Sequence, residues 1–386
     1  MEEIYYEKVR IYPNLRQIAS LEKYLDINRG LYNGVVYQQR KALAAYAATF
    51  NTGIFDETVE AEFPNYRKES VALTLRRNGS LRLASVHSEF QAGSLKRVFN
   101  AINARTTGGK LRFKNRNSFS TITMSHADRT VRFSPNGSKI RFCKEIGFIR
   151  LKSGRSIPEN FTVFSLHRSK TGKFYAIFVC KRECITLPQT NQNIGIDLGI
   201  TNILATSSGD LIQNPRYVEQ KKAELVLLQQ KFAAGKYKDG NLRKQIAILH
   251  EKIANKIRDF HHKLALKIVV CNDVIALEDL SLVKMKEKGP KPTRKGLQNV
   301  GLGKLTKYIC DKAESAGRKI VKVNPAYTSQ TCSDCGFCDN KNRSGEKFEC
   351  LNCGIKKHAD INAACNVLSK GLEEASKNLY SPCGKG

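Results

Sequence analysis

The sequence predicts a multidomain α+β protein, and three observations lead to that prediction. The chain has 386 residues, more than a typical single domain holds. Segments whose apolar residues recur every three or four positions are interspersed with short segments of strand-like composition. Near the end, four cysteines stand in two closely spaced pairs, which is typical of a zinc ribbon.

The charge of the chain predicts a polyanionic partner. Lys and Arg total 65 against 35 Asp and Glu, a net charge of +30 at pH 7. The basic residues are spread along the whole chain and not gathered in one amphipathic helix, which favours nucleic acid over a membrane surface. We find no apolar run of about 18 residues and no apolar N-terminal stretch, so we expect no membrane span, no secretory signal and a reducing compartment.

The first half of the chain predicts a small β domain and a helical part. Residues 1–12 alternate as a strand does, and Pro13 ends that strand. Helical spacing follows from Leu15 to about residue 48, and again over residues 85–105. Residues 119–187 contain short apolar segments separated by turn clusters, which predict a barrel or a sandwich. The N-terminal strand could complete that β domain, which would make the helical part an insertion.

A basic stretch lies at the end of the helical part. Residues 76–116 contain ten Lys or Arg and one acid, Glu89. A solvated basic face is one interpretation, and a surface that contacts phosphates is the one we favour. Phe113 and Phe119 lie among these charges and could stack on bases or belong to a core. The candidate nucleic-acid-binding residues are Arg76, Arg77, Lys96, Arg97, Arg112, Lys114 and Arg116.

The second half opens with an apolar hairpin that contains an acid. In residues 193–202, Ile194 and Ile196 point to one face of a strand, so Gly195 and Asp197 point to the other. Residues 203–206 predict the second strand, and a turn follows. Asp197 is either a turn-forming residue or an active-site acid, and the glycine on its face could leave room for a metal and a phosphate.

A second acid ends a later strand. Residues 214–268 predict a helical pair that leads to a short buried strand, residues 274–280, which includes Glu278. An acid at a strand exit is common, so Glu278 alone decides little. Residues 284–307 contain eight Lys or Arg against one Glu, and we expect a mobile basic loop there. Residues 320–323 predict a further strand.

The cysteine spacing predicts one structural zinc ion. Cys332-x2-Cys335 is followed after fourteen residues by Cys350-x2-Cys353, and a glycine follows each pair (Gly336 and Gly354). Four thiolates can close a tetrahedron around zinc and leave no open position for catalysis. Cys338 and His358 remain alternative ligands.

A third acid, Asp360, follows the cysteines at the start of a predicted helix. The helix dipole alone would favour an acid there. If Asp197, Glu278 and Asp360 come together, they repel one another unless cations neutralise them. Hard oxygen ligands suit Mg²⁺ or Mn²⁺. Two such ions about 4 Å apart would support hydrolysis of a phosphodiester.

Four segments together resemble the TnpB family of transposon-encoded, RNA-guided nucleases, which is related to the type V CRISPR effectors. The match spans roughly residues 190–370, whereas the N-terminal half matches only in order and character. The segments are Gly195-Ile196-Asp197-Leu198-Gly199, Leu277-Glu278-Asp279-Leu280, Thr328 to Gly336, and Asp360-Ile361-Asn362-Ala363-Ala364. The sequence differs from many relatives at His358 and Ala359, where they carry Arg or another polar residue, and at Cys365.

The resemblance implies a domain organisation. A RuvC-like domain of the ribonuclease-H fold would comprise residues 190–327 and 357–386, with a zinc ribbon at 328–356 inserted into it as the target-nucleic-acid-binding domain. A β-barrel wedge domain would comprise residues 1–12 and 118–187, and a helical recognition domain, residues 13–117, would be inserted into it. By analogy, the basic residues 284–307 would form a lid over the nuclease site.

The resemblance also implies a function. Asp197, Glu278 and Asp360 would be the catalytic residues and would bind Mg²⁺ or Mn²⁺. A guide RNA from the transposon end would select double-stranded target DNA beside a short motif, with no obligatory protein partner. We expect a cytoplasmic, nucleoid-associated protein of a prokaryotic host. The alternatives are an RNA-guided repressor without nuclease activity and a transposase that acts without RNA.

Overall fold

The computed structural model divides the chain into two units, residues 2–182 and residues 183–386. Among the described residues, no helix is both long and apolar enough to cross a membrane. The described residues are 2–52, 63–104, 111–152, 160–184, 186–235, 240–279 and 290–377.

The first unit combines helices with one β-sheet. The helices are α1 (Leu15–Thr52), α2 (Tyr66–Asn78), α3 (Leu81–Ala84), α4 (Ser88–Asn103) and α5 (Ala127–Thr130). The strands are β1 (Glu2–Tyr12), β2 (Thr121–Met124), β3 (Arg132–Phe133), β4 (Lys139–Arg141), β5 (Ile149–Leu151), β6 (Phe161–Arg168) and β7 (Phe174–Glu183). They form a seven-stranded sheet in the order β2-β6-β7-β1-β5-β4-β3.

The N-terminal strand lies inside this sheet. β1 is between β7 and β5, and α1 to α4 come between β1 and β2 in the chain. The core contains phenylalanines in contact with one another, of which Phe90 of α4 and Phe164 of β6 have ring centroids 6.2 Å apart. Among the described residues β2 and β3 end the order, so the pairing does not itself show a closed barrel.

The second unit contains a larger and a smaller sheet. The strands are β8 (Asn193–Asp197), β9 (Asn202–Thr206), β10 (Leu211–Gln213), β11 (Val274–Glu278), β12 (Lys319–Val323), β13 (Arg343–Ser344), β14 (Lys347–Glu349) and β15 (Lys356–His358). The helices are α6 (Tyr217–Gln220), α7 (Lys222–Ala234), α8 (Gly240–Cys271), α9 (Lys291–Val300), α10 (Leu302–Ser315) and α11 (Ala359–Lys377). A short 3₁₀ helix spans Asn340–Asn342.

The larger sheet has the order β10-β9-β8-β11-β12. β11 pairs in parallel with both β8 and β12. β9 is antiparallel to β8, and β10 is antiparallel to β9. The hairpin predicted for residues 193–206 is therefore confirmed, as is the strand that ends at Glu278.

Helices cover both faces of the larger sheet. On one face, Ile196 and Leu277 share a core with residues of α8 and α10. On the other face, α11 crosses β8 at Gly195, where a Cβ atom would lie 2.2 Å from the Ala364 carbonyl oxygen. The expectation that Gly195 leaves room for a metal and a phosphate is therefore wrong, because the helix backbone takes that space.

The basic stretch 284–307 is helical from residue 291 onward. Residues 280–289 lie outside the described part of the chain, and α9 and α10 fill most of the rest. Leu297, Leu302 and Leu305 are buried against the sheet. An apolar stripe therefore packs these helices onto the sheet, although they carry many basic residues. The expectation of a mobile loop is wrong for residues 291–300 and 302–307.

Candidate functional site

Two of the predicted acids end neighbouring parallel strands. In the register between β8 and β11, Ile196 is opposite Leu277, so Asp197 and Glu278 come next on each strand. Side chains alternate along a strand, and these two acids therefore point away from the core that holds Ile196 and Leu277. They face the side of the sheet that α11 covers. Ligands of open α/β sheets bind outside such carboxyl ends.

The third acid reaches the same place on a helix. Asp360 lies in the first turn of α11, as predicted, and the helix runs back across β8 from there. The amide of Asn202, the first residue of β9, donates to Asp360 Oδ2 at 3.2 Å. The guanidinium of Arg343, on β13, donates to Asp360 Oδ1 at 3.0 Å. Three separate elements thus bring the acids to one end of the sheet.

Burial and mutual repulsion perturb this site. Burial, followed by the charges of Glu278 and Asp360, raises the pKa of Asp197 to about 7, and the Arg343 guanidinium only partly opposes that rise. Burial also raises the pKa of Glu278, against a hydrogen bond from Thr328 that lowers it. Neighbouring carboxyl groups with raised pKa values resist ionisation. Bound cations would restore their charged form.

The three acids are near one another but not tightly gathered. Among the described residues, the group of His, Cys, Asp or Glu ligand atoms that all lie within 4.8 Å of one another consists of cysteines and contains no carboxylate. The acids are still close enough that Glu278 and Asp360 each raise the pKa of Asp197. Their oxygen donors fit Mg²⁺ or Mn²⁺ by chemical type.

Two residues at this site were not singled out in the sequence. The Thr328 hydroxyl donates to Glu278 Oε1 at 2.6 Å, and Thr328 is buried. Arg343, which pairs with Asp360, belongs to the segment between the two cysteine pairs. Thr328 opens one of the segments on which the TnpB resemblance depends, and that position is the signal that could have identified it.

The four predicted cysteines form one cluster. The sulfur atoms of Cys332, Cys335, Cys350 and Cys353 all lie within 4.8 Å of one another. Cys332 Sγ is 3.7 Å from Cys353 Sγ, and Cys335 Sγ is 3.5 Å from Cys350 Sγ. Four sulfurs about 2.3 Å from a tetrahedral zinc ion would be about 3.8 Å apart, so the cluster could hold zinc.

The backbone around these cysteines shapes the cluster. Gly336 and Gly354 follow the two pairs with φ of +75° and +71°, a conformation that glycine adopts without strain. The backbone N–H of Phe337 lowers the pKa of the Cys335 thiol, whereas, against a hydrogen bond from the Ile355 N–H, burial and the other three cysteines raise the pKa of Cys353. The alternative ligands stand outside the group: Cys338 is exposed, and His358 Nδ1 accepts the N–H of Asp360.

A cavity of about 820 Å³ lies beside Asn202 and His358. Asn202, which donates to Asp360, is one of its lining residues, and His358 is another. Arg216, Glu219 and Glu346 give its wall charges of both signs. The cavity is within the size range of ligand sites, and Asn202 and His358 in its wall each hydrogen-bond to Asp360.

The candidate nucleic-acid-binding residues of the first unit differ in their surroundings. Arg112 and Lys96 are exposed, and Arg76 pairs with Glu69. Arg77 is half-buried, and its guanidinium donates to the Leu83 and Val86 carbonyls.

The other three basic candidates and the two phenylalanines also differ in their surroundings. Arg97 donates to the Thr121 carbonyl, and Arg116 pairs with Asp26. The backbone N–H of Lys114 donates to Asn33. Phe119 is a core residue, whereas Phe113 is exposed beneath Arg40.

Comparisons with known proteins match two parts of the chain to family models. Residues 177–289 match the family described as "Probable transposase", and residues 303–367 match "Cas12f1-like, TNB domain". The first match contains Asp197 and Glu278, and the second contains Asp360 and the four cysteines.

Several curated relatives match a large part of the chain. A protein of Streptomyces pristinaespiralis, named "Putative RNA-guided DNA endonuclease", is 25% identical over 66% of this chain and 63% of its own length. The "CRISPR-associated endodeoxyribonuclease Cas12f1" of Sulfoacidibacillus thermotolerans is 33% identical over 48% of this chain and 49% of its own length. "TnpB-like protein L770" of Acanthamoeba polyphaga mimivirus is 23% identical over 60% and 47%.

These matches define a class of transposon-associated proteins and their CRISPR-associated relatives. Within that class the chain is similar to proteins of the TnpB family, as its sequence motifs predict. The chain matches less than two thirds of the length of these curated relatives.

Proposed function

We propose that this protein is an RNA-guided endonuclease that cleaves double-stranded DNA beside a short transposon-adjacent motif. The observation that supports it most is the convergence of Asp197, Glu278 and Asp360 from two strands and a helix at one end of the larger sheet. The names of two relatives contain "RNA-guided DNA endonuclease" and "endodeoxyribonuclease". The net charge of +30 agrees with a protein that carries two nucleic acids.

The three acids would be the ligands of the catalytic cations, Mg²⁺ or Mn²⁺. Two such cations held by these residues would supply the positive charge that activates a water molecule and stabilises the leaving oxygen of a phosphodiester. The protein's own residues hold the site in place. Asn202 and Arg343 fix both oxygens of Asp360, and Thr328 fixes one oxygen of Glu278. The negative charges of Glu278 and Asp360 both act on Asp197. Ionisation of Asp197 therefore depends most on added positive charge.

The cysteine cluster would hold one structural zinc ion. Its four sulfurs leave no position for a water or a substrate, so zinc there would support folding and not the chemistry. The residues 328–356 around it would form the target-nucleic-acid-binding domain. Lys347 supplies positive charge for that purpose, whereas Lys356 and Lys357 pair with Glu349 and Asp334. The cavity beside Asn202 would admit the DNA strand.

The remaining domains would carry the RNA. We assign residues 1–12 and 118–187 to a wedge domain and residues 13–117 to a helical recognition domain. Residues 190–327 and 357–386 would form a RuvC-like nuclease domain of the ribonuclease-H fold. The three parallel strands β8, β11 and β12, with the antiparallel pairs β8–β9 and β9–β10 on the β8 side, support the last assignment. The guide RNA would come from the transposon end, and base pairing would select the target.

The proposal is tested with protein that is expressed from its native locus and then purified. Sequencing of the RNA that co-purifies should recover one species whose variable end matches the DNA that flanks the transposon. The purified complex should then cleave a plasmid that carries the matching site, in the presence of Mg²⁺. Asp197→Ala should abolish cleavage, and persistent cleavage by that variant would refute the mechanism.

One alternative function is favoured by a specific finding, the family description "Probable transposase". A transposase of the same fold would act on transposon ends and would not need RNA. A preparation that is free of RNA and fully active on transposon ends would support it. An RNA-guided repressor would instead bind the target without cutting it, although such a protein has no need for three acids at one site.

A further inference from the structure

Residues 328–333 connect the candidate zinc ribbon to the acids of the nuclease site. This segment, which we call the strap, follows β12 and contains Cys332, the first of the clustered cysteines. It starts with the buried Thr328, which is 3% exposed. The strap therefore lies between β12 of the larger sheet and the smaller sheet that contains Arg343.

The first contact of the strap is with Glu278. The Thr328 hydroxyl lies 2.6 Å from Glu278 Oε1 and 2.9 Å from the Pro325 carbonyl. A hydroxyl has one proton to donate, and the shorter distance is typical of a charge-assisted bond from a hydroxyl to a carboxylate. Because threonine is β-branched, its side chain has few rotamers, so the hydroxyl has a defined direction. Thr328 thus fixes one oxygen of Glu278.

The strap is also fastened to the helix that carries Asp360. The Asn366 amide donates to the carbonyls of Thr328 and Thr331, at 2.8 Å and 2.7 Å. The Asn362 amide donates to the same Thr331 carbonyl at 2.7 Å, and its oxygen accepts the Ser333 N–H at 2.9 Å. Both asparagines are buried on α11, where such bonds are not exchanged with water. The strap therefore holds Glu278 at a set distance from the first turn of α11.

We propose that Thr328 is a positioning residue of the nuclease site, whose hydroxyl orients Glu278 for cation binding while the strap fixes it relative to Asp360. The inference rests on the proposed function, because it assumes that Glu278 is a metal ligand. Groups that orient a metal ligand by hydrogen-bonding to it commonly contribute ten- to a hundredfold to metal affinity. Glu278 has a long side chain with several rotamers, so it gains more from such a contact than the shorter Asp197 does.

The test measures Mn²⁺ binding to the full-length, zinc-loaded complex with its RNA, by electron paramagnetic resonance of the free ion. The Asp197→Ala complex gives the background from RNA and surface acids. We expect Thr328→Val, which keeps the shape and removes the hydroxyl, to weaken the Asp197-dependent affinity by about ten- to a hundredfold. Thr328→Ser, which keeps the hydroxyl, should retain most of it.

Thr306→Val is the matched control. Thr306 is a half-buried threonine of α10 whose hydroxyl donates to the Leu302 carbonyl, within one helix. Its variant should bind Mn²⁺ as the wild type does, and zinc content and melting temperature serve to compare all variants. If Thr328→Val does not fold, Thr328→Ser and Thr328→Ala form a second pair that also differs by the hydroxyl, and the serine variant should bind more tightly.

Two results would overturn the inference and are distinguishable. If Thr328→Val binds Mn²⁺ like the wild type, or Thr328→Ser binds as weakly as Thr328→Val, the hydroxyl does not position Glu278, although the nuclease site can still exist. If the wild type has no Mn²⁺ site that depends on Asp197, the proposed metal site itself is wrong, and the role of Thr328 falls with it.

Discussion

At the residue scale, Asp197 is the acid of the candidate site whose ionised form is least favoured by its surroundings. Its carboxyl is buried beside Glu278 and Asp360, and these surroundings raise its pKa to about 7, from an ordinary value of 3.8. Without cations, folding therefore favours the protonated form of Asp197 at pH values where the unfolded chain holds it ionised. A residue so placed reduces stability, which is common where function and not packing determines the side chain.

This imbalance predicts a pH-dependent gain from Asp197→Asn. In magnesium-free buffer the wild type loses stability as pH rises from about 4 to about 7, because the folded state then retains a proton that the unfolded state has released. The asparagine variant has no such loss. Its advantage in free energy of unfolding should be small near pH 4 and reach the order of 4 kcal/mol at pH 8.

Urea denaturation at pH 5 and pH 8 measures this difference. Asp259→Asn, a change at an exposed residue of α8, is the control and should show no comparable gain at either pH. An Asp197→Asn advantage that is equal at pH 5 and pH 8 would contradict the assigned surroundings of Asp197.

At the element scale, α11 determines where the third acid lies. The helix crosses β8 at Gly195 and lies against Ala276 of β11 at Gly371, where a Cβ atom would be 2.5 Å from the Ala276 Cβ. These contacts set the helix close to the sheet, and its first turn then brings Asp360 to the ends of β8 and β11. The position of Asp360 therefore depends on small residues some distance away in the chain.

Gly195→Ala tests that dependence. The added methyl group would lie 2.2 Å from the Ala364 carbonyl oxygen and 2.6 Å from the Leu368 nitrogen, so the helix backbone has to move. We expect a loss of about 1–3 kcal/mol in free energy of unfolding, measured by urea denaturation. The control is Gly240→Ala at the start of α8, where no atom of the described residues lies within 4 Å of the added atom, and it should cost little. Equal stability of the two variants would contradict the close packing of α11.

The sequence predicted the elements whose signal is local and missed what depends on contact between distant residues. The apolar alternation around Asp197, the strand before Glu278 and the spacing of the cysteines are patterns within a few residues. The role of Gly195 depends on Ala364, and that of Thr328 depends on Glu278, so neither can be read from its own surroundings. The many basic residues around α9 predicted a loop, although the helix has an apolar stripe. The charge of Arg77 likewise predicted a contact with phosphate, although its guanidinium makes internal hydrogen bonds.

At the scale of the whole molecule, the excess of positive charge should dominate nucleic-acid binding. Each phosphate that a Lys or Arg neutralises releases a counterion, so affinity should fall steeply with salt. The basic residues of the first unit should not contribute equally. Arg112 is exposed, whereas Arg77 uses its guanidinium to hold the Leu83 and Val86 carbonyls.

Arg112→Gln and Arg77→Gln separate these two roles. In titrations of a single-stranded RNA oligonucleotide between 50 and 200 mM salt, Arg112→Gln should reduce the slope of log affinity against log salt by about one. Arg77→Gln should leave the slope unchanged and lower the melting temperature, because it removes bonds to half-buried carbonyls. A reduced slope for Arg77→Gln, with an unchanged melting temperature, would contradict the structural role of Arg77.

The central claim is that three acids from β8, β11 and α11 form one nuclease site. The most direct measurement is the cleavage rate of a guide-matched DNA duplex by complexes that carry the same RNA and Asp197→Asn, Glu278→Gln or Asp360→Asn. Each change is close to isosteric and removes one charge. The account predicts that every variant still binds the duplex and that none cleaves it, whereas cleavage at the wild-type rate by any one of the three would contradict it.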